Sequence, residues 1–156
     1  MIKVMFVCLG NICRSPMAEF VFKDIVKKQG LEKEFYIKSS ATSSEEIGND
    51  IHYGTRNKLI QEGISFEKRE ATKLKTKDYE KYDYIIGMDT ANIRNLNRML
   101  KGDPEGKIRL LLEMTGRSGD IADPWYTGDF QLTYLDIEEG CKGFLQYLKE
   151  NGKING

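Results

Sequence analysis

Ile2-Lys3-Val4-Met5-Phe6-Val7-Cys8-Leu9-Gly10-Asn11-Ile12-Cys13-Arg14-Ser15-Pro16 decides the fold. Its first six residues are nearly all apolar and rich in β-formers, which predicts a strand buried on both faces, as in a parallel sheet. From Met17 to Gln29 apolar residues at Phe20, Val21 and Ile25 keep near-helical spacing, and Gly30 supplies a stop. A buried strand, a short glycine-containing loop and a helix therefore follow one another.

The rest of the chain repeats this alternation. Phe35 to Ser39 reads as a second strand. Ile51 to Glu62 reads as a helix ending at Gly63. Tyr82 to Met88 reads as a third buried strand, with Asp89 or Thr90 capping a helix that runs through Leu100. Ile108 to Leu112 reads as a fourth strand. Phe130 to Lys149 reads as a long final helix with Leu135, Phe144, Leu145 and Leu148 as core positions. The alternation predicts an α/β fold, with a parallel sheet covered by helices on both faces and residues 1–156 forming a single domain.

The 156 residues carry 24 Lys and Arg against 24 Asp and Glu, so nothing global favours a nucleic-acid or membrane-surface partner. The local excess from Lys68 to Lys81 reads mainly as a solvated surface, with a polyanion site as the alternative. Three cysteines are too few for a disulfide framework, which predicts a reducing, cytoplasmic setting. Only Met1 precedes the first strand, so no signal peptide is expected. No apolar run is long enough to span a bilayer.

In parallel sheets ligands bind beyond the carboxyl ends of the strands. Two loops lie there: the one after the first strand, and the one holding Asp123-Pro124-Trp125-Tyr126. The first suits a phosphate dianion. Loop amides from Leu9, Gly10, Asn11, Ile12, Cys13 and Arg14, followed by a helix N-terminus, supply converging donors. Asn11 tolerates a left-handed backbone. Arg14 adds a planar fork for two phosphate oxygens. The same field stabilises a Cys8 thiolate, to which Ser15 could donate. These residues alone fit phosphate storage, transfer, reduction or hydrolysis.

Cys8 to Ser15, the Asp123-Pro124-Trp125-Tyr126 segment and the spacing between them resemble the low-molecular-weight protein tyrosine phosphatases. Ser39 to Ser43, Gly48-Asn49, Tyr82-Asp83-Tyr84, Met88-Asp89 and Asn95-Leu96 extend the resemblance over essentially the whole chain. It implies a twisted four-stranded parallel sheet and a metal-free, cofactor-free reaction in two steps. Cys8 attacks phosphorus and forms a cysteinyl-phosphate, Arg14 and the loop amides hold the equatorial oxygens, and Asp123 serves as acid and then base. The partners implied are phosphotyrosine-containing proteins, met by a monomer or a weakly self-associating chain.

The resemblance also assigns pocket walls to Leu9, Glu45, Trp125 and Tyr126. Trp125 could instead be core, and Glu45 merely surface. Relatives that act on phosphoarginine carry threonine at the position of Ile12, which tilts the expectation to phosphotyrosine. Asn11, Ser15 and Ser39 are the expected loop supports, because the family's usual histidine is absent near Lys68 and Arg69. The single histidine, His52, falls at a helix start and reads as structural or exposed. Cys13 is expected to form a protective disulfide with Cys8, and Cys141 to be core. The alternatives are a protein-arginine phosphatase, an arsenate reductase or a phosphocarrier. No cysteine lies between Cys13 and Cys141 to relay electrons, and a phosphocarrier needs no general acid.

Overall fold

Strand β1 (Ile2–Cys8) lies inside the sheet, with β2 (Phe35–Ala41) on one side and β3 (Tyr84–Gly87) then β4 (Ile108–Leu110) on the other. The computed structural model, which describes residues 1–117 and 119–154, pairs all four strands in parallel. Cys8 registers with Ala41 and Val7 with Gly87, so three strand ends converge on one edge.

The two-residue alternation of a strand divides the core. Val4, Phe6 and Cys8 face helices α1 (Arg14–Lys28) and α6 (Phe130–Glu150), joined there by Leu59 of α2 (Tyr53–Gln61). Met5 and Val7 face the opposite layer, where they meet Leu96 of α4 (Thr90–Met99) and Tyr82, which follows the short α3 (Asp78–Lys81). Phe22 stands at the centre of the first layer, edge-on to Phe6 at 5.8 Å and to Phe35 at 5.2 Å.

Several boundaries differ from the sequence reading, each for a local reason. Helix α1 begins at Arg14, three residues before Met17, because Pro16 stands in the first turn, where its missing N–H leaves no bond unmade. Strand β4 stops at Leu110, and Leu111–Thr115 tightens into a 3-10 turn that buries Leu111 and Leu112. Leu135 is 48% exposed and is not core. The buried face of α6 runs through Tyr134, Ile137, Cys141, Phe144, Leu145 and Leu148, and Leu135 sits one residue off that stripe. The stretch from Lys68 to Lys81 is not uniformly solvated, since Ala71 and Leu74 are buried and Arg69 is half-buried. Among the described residues no helix is long and apolar enough to cross a membrane.

Candidate active site

Cys8 closes β1 and Arg14 opens α1, so five residues must turn the chain between them. Asn11 makes the turn in the left-handed region at φ 59°, and its buried side chain holds the loop to its surroundings. Its Nδ2 donates to Ser15 Oγ at 2.7 Å and to Ser39 Oγ at 3.0 Å, while its Oδ1 accepts from the Thr72 amide at 3.2 Å. Ser39 in turn donates to Glu19 Oε1 at 2.6 Å, and Glu19 pairs with Lys23.

The three expected supports therefore meet at one point. A fourth support escaped the sequence reading. Arg69 donates through Nη2 to the Asn11 carbonyl and through Nη1 to the Asn49 carbonyl, near where the family's histidine was expected. Its burial lowers its pKa, yet an arginine remains charged. The signal available was a second arginine in the expected region, read there only as surface charge.

Cys8 is buried, with its sulfur 3.1 Å from Ser15 Oγ and 3.4 Å from the Ser15 amide, which donates to it. Arg14 is 2% exposed. Its Nη1 donates to Asp89 Oδ2 at 2.6 Å and to the Ile121 carbonyl at 2.9 Å, and its Nη2 reaches Asp123 Oδ2 at 3.4 Å. Its Nε is buried and has no partner among the described residues. Burial opposes the charge on Arg14, but Cys8, Asp89 and Asp123 outweigh it and raise its pKa.

Asp89 is the helix cap that the sequence offers: its Oδ1 accepts from the Asn92 amide at 2.7 Å. Its other oxygen orients Arg14. The clue was an acid at the carboxyl end of the third strand, beside the loop. Asp123 is extended and caps the short α5 (Pro124–Thr127), accepting from the Trp125 amide at 3.1 Å. Pro124 at the first helical position fixes that turn.

One pocket brings together buried Cys8, Ile12 and Cys13 with Leu9, Gly10, Glu45, Asp123, Trp125 and Tyr126. Trp125 is 55% exposed and Tyr126 76%, so neither is core. Glu46, not singled out in the sequence, also lines the pocket, and its Cγ would lie 3.3 Å from a Cβ at Gly10.

His52 does more than begin α2. Its amide donates to the Ile12 carbonyl at 2.8 Å, and its ring stacks on Phe130 at 5.3 Å and meets Trp125 edge-on at 5.4 Å. Burial first, then the neighbouring Cys8, pushes the Cys13 thiol up to about 12. Cys141 is fully buried between α6 and α1, as expected.

A family model for the low molecular weight phosphotyrosine protein phosphatases matches residues 3–154. The low molecular weight protein-tyrosine-phosphatase YfkJ of Bacillus subtilis is 40% identical over 156 residues, covering 99% of this chain and 100% of the relative. The YfkJ crystal structure superposes with a TM-score of 0.93, covering 97% of this chain and 96% of that one. SP-PTP, a low molecular weight protein tyrosine phosphatase from Streptococcus pyogenes, is 43% identical with a TM-score of 0.87 over 100% of both chains. The drosophila arginine phosphatase DARP is 35% identical with a TM-score of 0.87, covering 95% of this chain and 98% of that one.

Proposed function

The chain belongs to the low molecular weight phosphotyrosine protein phosphatase family and is a phosphoric monoester hydrolase, and on that premise we propose that Cys8, Arg14 and Asp123 hydrolyse protein phosphotyrosine through a cysteinyl-phosphate. The observation that carries this assignment is the division of labour within Arg14. Asp89 and the Ile121 carbonyl hold it through Nη1 alone, which leaves buried Nε without a partner among the described residues. An unmade hydrogen bond on a buried cation is costly, and a phosphate oxygen relieves it.

In the first step the Cys8 thiolate attacks phosphorus, the P–O bond to the aryl group breaks, and Asp123 gives its proton to the departing phenolate. Nε and Nη2 of Arg14 and the loop amides from Leu9 to Arg14 hold the equatorial oxygens as charge builds on them. The 3.4 Å contact between Nη2 and Asp123 is long enough to yield to the dianion. In the second step water attacks phosphorus, Asp123 takes its proton, and the S–P bond breaks with Ser15 Oγ stabilising the released thiolate. Apart from the attacking water, the nucleophile, the acid and base and the oxyanion donors all come from the chain, so the scheme calls for no metal or cofactor.

Leu9, Trp125 and Tyr126 wall a slot for a flat aryl phosphate. Glu45 at the same rim favours a basic residue beside the phosphotyrosine. The likeness to the Drosophila arginine phosphatase keeps phosphoarginine as the second reading, and Ile12 argues for phosphotyrosine. Cys13 lines the same pocket as Cys8. After peroxide converts Cys8 to a sulfenic acid, the Cys13 thiol condenses with it, forming a disulfide and releasing water. We take residues 1–156 as one catalytic domain, monomeric and cytoplasmic.

The deciding measurement is turnover of p-nitrophenyl phosphate without added metal. Activity should vanish in Cys8→Ser and fall by about 10²–10⁴ in Asp123→Ala. Full activity in Cys8→Ser would sink the mechanism. A panel of phosphotyrosine and phosphoarginine peptides separates the two substrate readings.

A further inference from the structure

The outer face of the edge strand β2 carries a groove of about 500 Å³, in the range of small-molecule sites. Its floor includes Met5, Tyr36 and Ser40, and Thr72 to Tyr82 overhangs it. That overhang is pinned along β2. The Ala41 amide donates to the Thr72 carbonyl at 2.7 Å and the Leu74 amide to the Ala41 carbonyl at 2.9 Å, so the groove is formed in advance.

Five lysines line it: Lys38, Lys73, Lys75, Lys77 and Lys81. All five are exposed, and none makes an ion pair or a side-chain hydrogen bond among the described residues. The single lining carboxylate, Asp78, is engaged by the Lys75 amide at 2.9 Å. In a chain of zero net charge, such concentration on one concave surface is a local choice.

A second feature points to a ligand independently of the lysines. Ser40 is 2% exposed, lines the groove, and its hydroxyl has no partner among the described residues. A buried hydroxyl without a partner is unfavourable until an acceptor or donor reaches it.

We infer that this groove binds an oligophosphate anion, with the five ammonium groups neutralising its charges and the Ser40 hydroxyl donating to one of its oxygens. The site lies outside the Cys8 pocket and does not depend on the phosphatase assignment. It is nonetheless adjacent to the loop's brace. Ser39 and Thr72 both line the groove and both bond Asn11.

The test is a titration of the full chain with inorganic tripolyphosphate and with ATP at fixed ionic strength, read from backbone amide resonances. Saturable shifts are expected at residues 36–40 and 72–82, separate from any at residues 8–15. Affinity should fall by about tenfold in the Lys73→Ala/Lys77→Ala double variant and about threefold in Ser40→Ala. p-Nitrophenyl phosphate turnover without added oligophosphate should stay unchanged in the lysine variant. Equal affinities for the two probes assign recognition to the phosphates alone. Tighter ATP adds a contact of its nucleoside with the groove, and either result upholds the site. Shifts confined to residues 8–15 overturn it, as do equal affinities across the variants. Shifts produced by single-stranded RNA but not by tripolyphosphate overturn it too.

Discussion

Asp89 holds Arg14 at 2.6 Å through one carboxylate oxygen while its other oxygen caps α4. One side chain thus ties the guanidinium to the end of β3 and starts the next helix. Asp89→Asn keeps an oxygen for the cap and removes the charge facing Arg14. Turnover of p-nitrophenyl phosphate should fall by about 10–100-fold in this variant. Asp89→Ala should lose a further ~1 kcal/mol of stability through the missing cap, read by urea denaturation.

Arg69 is the only described side chain that donates to the Asn11 carbonyl. Arg69→Ala leaves the Asn11 carbonyl without its side-chain donor, while the Asn49 carbonyl keeps the Ala71 amide. Stability should drop by about 1–3 kcal/mol, and kcat should fall more than KM rises, because the loop's shape rather than its charge is lost. Unchanged kcat in a stably folded Arg69→Ala would remove Arg69 from the brace.

Gly54 lies under Phe130, whose ring would sit 2.3 Å from an added Cβ. Gly54→Ala must push Phe130 off His52, and His52 backs Trp125. The expected cost is about 1–3 kcal/mol of stability. KM for aryl phosphates should rise while the rate with small alkyl phosphates stays nearly constant. Kinetics on both substrate classes check this.

Glu45 stands exposed on the pocket rim. Glu45→Lys should lower kcat/KM by about three- to fivefold for phosphotyrosine peptides with a neighbouring lysine or arginine, and raise it for acidic ones. The effect should shrink with added salt. A peptide panel with matched charges measures it.

Cys13 is raised from the usual 9.0 to about 12, and Cys141 is raised as well, both chiefly by burial. A raised acid stays protonated in the fold while the unfolded chain has already lost its proton. The folded state then binds more protons, so stability declines as pH climbs. The contribution of Cys13 is complete below pH 9 and lost progressively from there to about 12. Urea midpoints at pH 8, 10 and 11 should fall steadily, and less steeply in Cys13→Ser. Closure of the Cys8–Cys13 disulfide after peroxide should quicken over the same span, followed by mass spectrometry.

The sheet was legible because its strands announce themselves locally. Residues 2–7 and 84–86 are apolar runs between polar turns, and neither needs a distant partner to be recognised. Three- and four-residue spacing fixes a helix face only to within one position, and burial in the core selected Tyr134 rather than Leu135. The loop residues Cys8, Asn11, Arg14 and Ser15 were legible from their order. Asp89, Arg69, Glu46 and the second role of His52 were not, since each works through a contact spanning 58 to 75 residues or through a neighbouring wall. Sequence spacing carries no record of such pairings.

Ile121 is wholly buried, its amide donates to the Met88 carbonyl at 2.9 Å, and its own carbonyl accepts from Arg14. Two residues later comes Asp123, and the Ala122 carbonyl between them accepts from Thr133. The carboxylate therefore rides on a segment riveted to the sheet rather than on a swinging flap. The proton transfer proposed for Asp123 then needs no hinge between Ile121 and Thr133, and on that proposal a viscous solvent should slow only the arrival of substrate and the departure of product.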